Sequence, residues 1–73
     1  MDEKDLIMVR EDLIGELQAI NQYQEHIDAT TDEKIKEVLS HIIADEKEHV
    51  AELTKLLREK DKIQEEKFKK EEL

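Results

Sequence analysis

Between Asp5 and Arg58 the chain carries two apolar stripes at helical spacing, parted only by Ala29-Thr30-Thr31-Asp32. The first stripe is Leu6, Val9, Leu13, Leu17, Ile20, Tyr23 and Ile27. The second is Ile35, Val38, Leu39, Ile42, Ile43, Val50, Leu53, Leu56 and Leu57. Steps of three and four put each set on one helix face. Proline is absent and Gly15 is the only glycine, so no strong helix breaker lies in either stripe. The spacing predicts a helix from about Asp5 to Asp28 and another from about Asp32 to Arg58 or beyond. Thr30 or Thr31 is expected to cap the second, since Thr30-x-x-Glu33 has the spacing of a capping box. A connection this short makes the helices antiparallel neighbours, so the expected fold is all-α, a two-helix hairpin.

Such a hairpin buries too little apolar surface to be comfortable alone at 73 residues. Small folds make up the difference with a disulfide, a metal or a partner subunit. There is no cysteine, which removes the first and fits the cytosol. Residues 1–60 read as the hairpin domain. Residues 61–73 are mostly Lys and Glu, with Ile63 and Phe68 as the only large apolar residues before Leu73. This tail could prolong the second helix, form a short third helix, or fray, and its charge pairs support a solvated helix only weakly. The net charge of −9 argues against nucleic acid and favours cations. No apolar stretch approaches the ~20 residues of a membrane span. Met1 to Asp5 is charged where a signal peptide would be apolar.

Three ionisable residues interrupt the stripes. Glu16 stands seven residues after Val9 and seven before Tyr23. Glu46 stands seven from Leu39 and from Leu53, and His49 seven from Ile42 and from Leu56. A turn centred near Thr31 pairs Glu16 with Glu46, Leu13 with His49, Ile20 with Ile42 and Leu6 with Leu56. All three therefore fall at one height of an otherwise apolar seam. Burying a carboxylate costs several kcal/mol unless it is paired, protonated or metal-bound. Lys47 and Lys55 point elsewhere by helical phase, so a shared cation is the expected remedy. Carboxylate with imidazole suits iron, manganese or zinc. Glu46-x-x-His49 projects both side chains one way, and Glu16 comes from the facing helix. One chain offers three ligands; a two-fold dimer offers four Glu and two His, the set of a di-iron carboxylate bundle. Gly15 costs ~1 kcal/mol relative to Ala inside a helix. It either admits a backbone or metal close to Glu16 or is neutral drift.

Glu16-Leu17-Gln18-Ala19-Ile20-Asn21-Gln22-Tyr23, followed by Asp45-Glu46-Lys47-Glu48-His49-Val50, resembles the encapsulated-ferritin type of half-ferritin over Asp12 to Leu57. The chain is more loosely similar to rubrerythrin and other ferritin-like domains. The resemblance implies a dimer forming a ferritin-like four-helix bundle. It implies that Glu16, Glu46 and His49 are ferroxidase ligands for two iron ions per dimer, with Tyr23 close to the metals. It implies oxidation of Fe(II) to Fe(III) by dioxygen, for iron storage or detoxification. It further implies a homo-oligomeric ring of dimers such as a decamer, in the cytoplasm, with an encapsulin shell as partner and compartment. The sequence departs from the family twice. Gly15 and Gln18 are neutral where some members carry carboxylates of an iron-access site. The family's cargo members end in a Gly-Ser-Leu-like targeting peptide, which Lys69-Lys70-Glu71-Glu72-Leu73 does not match. That leaves either a targeting segment outside this sequence or a role outside a shell.

Other functions stay open on the residues alone. One is a non-catalytic helical dimer whose buried polar groups set register. Another is a manganese- or zinc-binding protein without turnover. His26 and His41 flank the stripes and are expected at the rim or surface, with His41 and Asp45 spaced i,i+4 so that they could bind a surface metal. Glu25, Glu37, Glu48 and Glu52 are expected on a solvated face, and some of them could line an iron path in an assembled ring.

Overall fold

The computed structural model describes residues 2–73. It contains α1 (Glu3–Ala29), α2 (Glu33–Lys60) and α3 (Lys62–Lys70). No strand occurs among the described residues. Helix α1 starts slightly earlier than the stripe predicts because Asp2 caps it, its carboxylate accepting from the Asp5 N–H at 3.0 Å. Glu3 and Asp5 in the first turn suit the positive end of the helix dipole.

The cap of α2 is Asp32, not Thr30 or Thr31. The Asp32 carboxylate accepts from the Lys34 and Ile35 N–H groups at 2.8 and 3.0 Å. Thr30 instead closes α1: its N–H donates to the His26 carbonyl, and its hydroxyl accepts from the Asp32 N–H. A charged carboxylate meets the N-terminal amides and the dipole better than a hydroxyl does, which moves the cap to the acid. Glu33 thereby becomes the first helical residue, and the expected capping box does not form.

Helices α1 and α2 form the antiparallel hairpin, and Leu6, Ile43 and Leu57 are its only buried hydrophobic residues among those described, each 7% exposed. Leu17, Ile35 and Val38, expected inside the seam, are instead 48%, 46% and 44% exposed. The apolar arc on each helix is wider than one neighbouring helix can cover. Ile7, Met8 and Ile14 add further exposed apolar surface on α1.

The tail forms a short third helix. The chain leaves α2 at Asp61, whose extended backbone breaks the ladder and whose carboxylate caps α3 by accepting from the Gln64 N–H at 3.1 Å. Helix α3 folds against α2. The Arg58 guanidinium grips both Glu65 oxygens at 2.8 Å and lies over the Phe68 ring, 4.6 Å from its centre. Arg10 of α1 reaches the same corner, donating to Asp61 at 3.0 Å and to Glu3 at 2.7 Å. No helix among the described residues is long and apolar enough to cross a membrane.

Candidate metal centre

Glu16 lies near the middle of α1, and Glu46 and His49 near the middle of α2. Side chains on a helix lean toward its N-terminus. In an antiparallel pair, Glu16 and His49 therefore lean toward each other, and this closes the one-turn offset between their backbones. The His49 Nδ1 lies 3.2 Å from a Glu16 carboxylate oxygen and 3.7 Å from one of Glu46. One ligand atom from each of the three falls within 4.8 Å of the others, the spacing of donors around one cation. It is Nδ1 that faces the carboxylates.

The three sit at the rim of the hairpin rather than beneath it. The side chains of Glu16, Glu46 and His49 are 25%, 19% and 48% exposed. No polar or charged residue is fully buried among those described. The expected burial is incomplete because only two helices surround the group, and one side is open. That side holds a depression of about 190 Å³ lined by Glu16, His49, Glu52 and Leu53. Glu52, expected on a solvated face, borders this opening, one turn beyond His49. The signal that could have found it is the continued step of three from Glu46 through His49.

Neither Glu16 nor Glu46 forms an ion pair with a lysine or arginine among the described residues. Two carboxylates close to one imidazole and to no other cation form a donor set suited to a borderline divalent metal. A single chain supplies only three such side chains, and their open side faces outward.

The remaining expected residues are scattered. Tyr23 is half-buried two turns along α1 from Glu16. His26 is exposed in the last turn of α1. His41 and Asp45 approach to 3.6 Å on an exposed surface of α2. A Cβ added at Gly15 would meet nothing within 4 Å, so nothing inside the chain demands a glycine there. Arg10 leaves no mark on the apolar stripes, because its partner Asp61 is distant in sequence.

Comparison with known proteins gives the same neighbourhood. The profile of the EncFtn-like family matches residues 1–72. The chain is 35% identical over 69 residues, 94% of its length, to the encapsulin nanocompartment cargo protein EncB of Myxococcus xanthus. It is 46% identical over 43 residues, 59% of its length, to the encapsulin nanocompartment cargo protein EncC of the same organism. The chain spans 44% and 33% of the length of these two relatives. No solved structure gives a significant match.

Proposed function

This chain belongs to the EncFtn-like family, and from that premise we propose that it is one half of a ferroxidase that oxidises Fe(II) with dioxygen between two copies of itself. The observation that carries the proposal is the convergence of Glu16, Glu46 and His49 within 4.8 Å on an open side of the hairpin. A second copy related by a two-fold axis would bring the same three residues, making four carboxylates and two imidazoles. That set would hold two Fe(II) as substrate. The exposed Leu17, Ile35 and Val38 are apolar surface that a second hairpin could cover.

In this reading the residues position and neutralise, while the redox chemistry belongs to iron. Glu16 and Glu46 supply hard oxygen donors whose negative charge suits Fe(III) even better than Fe(II), favouring oxidation. His49 would ligate through Nδ1, the nitrogen already turned to the carboxylates. Each Fe(II) would give up one electron, and dioxygen would accept them. Tyr23 would lie beside the centre, outside the ligand set. The curated relatives carry the name of encapsulin cargo. By that kinship we extend the proposal to a ring of dimers, such as a decamer, working in the cytoplasm inside an encapsulin compartment, with iron storage or detoxification as the outcome. Residues 1–60 would be the half-ferritin unit and residues 61–73 an appendage to it.

Native mass spectrometry with and without Fe(II), paired with an Fe(II) oxidation assay in air, tests the proposal. The expected result is two iron ions per dimer and oxidation well above background. A protein that binds manganese or zinc and leaves Fe(II) at its background rate would contradict it. So would a dimer that forms equally well in chelator and takes up no metal.

A further inference from the structure

The break between α2 and α3 is one residue wide. No proline or glycine stands between Arg58 and Lys70, where Lys, Glu and Gln, all good helix formers, predominate. The Asp61 N–H still donates to the Leu57 carbonyl, and the Glu65 N–H to the Asp61 carbonyl. The helical ladder is therefore interrupted only at the amides of Lys62, Ile63 and Gln64. Side chains hold the bend. One Asp61 oxygen caps α3 through the Gln64 N–H, and the other accepts from Arg10 of α1. Arg58 reaches the Phe68 ring and, at 2.9 Å, the Leu73 carbonyl. The apolar pattern runs straight through the break. Ile42, His49, Leu56 and Ile63 recur every seven residues, so in an unbroken helix Ile63 would extend the side of α2 that carries His49. The bent chain instead leaves Ile63 68% exposed.

Resting on the reading that two copies meet at the trio, we propose that Asp61 is a two-state hinge. In one state the corner is bent as described. In the other, α2 and α3 join as one helix and add Ile63 to the face met by the second copy. Each form keeps bonds that the other gives up. The bent form has the Asp61 cap and the Arg58 contacts. The straight form regains three backbone hydrogen bonds, from Lys62, Ile63 and Gln64 to Arg58, Glu59 and Lys60. It loses the Leu73 contact, since the intervening helix would put Arg58 and Leu73 about 22 Å apart. The cap decides between the two, because aspartate is a strong N-cap and a poor residue for a helix interior. Burial of Ile63 against a second copy rewards only the straight form. The hinge thereby links the tail to closure of the metal centre: the dimer favours straightening, and straightening favours the dimer.

The chain has no cysteine, so spin labels at Lys47→Cys and Lys69→Cys, both exposed positions, are unique. Labelled full chains are diluted into unlabelled ones without metal, so that double electron–electron resonance reads only distances within a chain. The straight form places the two positions about 33 Å apart along one helix, and the bent form places them closer. Asp61→Ala is expected to raise the long-distance population at least about five-fold and to give the amides of Lys62, Ile63 and Gln64 new exchange protection. Asp61→Asn keeps a capping side chain and should stay near the parent. The Asp61→Ala dimer should dissociate at about three- to ten-fold lower concentration, and adding Ile63→Gln should cancel that gain. An unchanged distance in Asp61→Ala would overturn the hinge, and so would loss of protection throughout α3, the mark of fraying. A straightened chain without a stronger dimer would overturn the link to the second copy. A parent that forms no dimer at all would remove the reading on which that link rests.

Discussion

Two polar clusters tie this chain together, and they treat their carboxylates in opposite ways. At the corner between α2 and α3, two acids each meet an arginine: Glu65 is held by Arg58, and Asp61 by Arg10. Midway along the hairpin, Glu16 and Glu46 meet only each other's neighbour, His49. These two pairs are complete within one chain. The middle has no guanidinium or ammonium within reach, and in the proposed function an iron ion would supply the positive charge. The physical costs differ accordingly. A paired carboxylate near the surface is nearly neutral for stability. Two crowded carboxylates repel, and they become an asset only when a cation arrives. A folded protein can therefore carry a structural cluster and a binding cluster on one helix, distinguished by whether guanidinium groups are in reach.

The sharpest way to break the comparison is to remove a ligand from the middle. Glu46→Ala or His49→Ala should reduce Fe(II) oxidation to background and weaken the dimer; normal oxidation by both would end the assignment. Next in size is supplying the middle with its own cation. Leu53→Lys places an ammonium beside Glu16 and should lower metal affinity by about ten-fold or more, read by equilibrium titration with Co(II). Unchanged affinity would show that the trio is not short of positive charge.

A smaller effect is expected from the corner. Arg58→Ala removes the grip on Glu65 and the contact with Phe68, so α3 should lose hydrogen-exchange protection and the melting temperature should fall by a few degrees. Iron oxidation should persist, because Arg58 is about 13 Å from His49 along α2. Loss of oxidation in this variant would mean that the two clusters are coupled. The smallest effect is in acid. The Arg58 hydrogen bonds hold the Glu65 carboxyl below its ordinary 4.5. The Gln64 N–H, and then Arg10, hold the Asp61 carboxyl below its ordinary 3.8. Both groups bind protons more weakly folded than unfolded, so their contribution is complete at neutral pH. It should decline only as the pH drops below those ordinary values and through the lowered ones. Amide exchange in α3 measured down this range should rise there; a rise beginning near pH 6 would assign the change to other groups.

The hairpin was legible because its signal repeats. Seven apolar positions on α1 and nine on α2 recur at helical spacing, and no single error shifts them. The same repeats exposed Glu16, Glu46 and His49, since a charge on an apolar stripe stands out. Register placed them at one height, and the structure brings them together. What was hidden depended on choices the pattern does not encode. Thr30, Thr31 and Asp32 can all cap a helix, and the apolar stripes do not show that the Asp32 carboxylate takes the amides of α2. Lys62 to Lys70 is polar nearly all round, so its helix depends on Asp61 and Arg58 rather than on an apolar face. The exposure of Leu17, Ile35 and Val38 was hidden for another reason. A stripe shows that surface wants cover, without showing whether the same chain provides it.

The turn at Thr30 and Asp32 has one more consequence. Glu16 stands fourteen residues before Thr30, and Glu46 fourteen after Asp32. The two caps are thus the zero marks of two rulers of equal length laid side by side. A residue inserted between either cap and its acid would rotate one ruler's marks by about 100° and slide them by about 1.5 Å. The alignment of the acids is therefore a matter of counting. Changes confined to the turn are corrected at the caps, and changes within the arms are not.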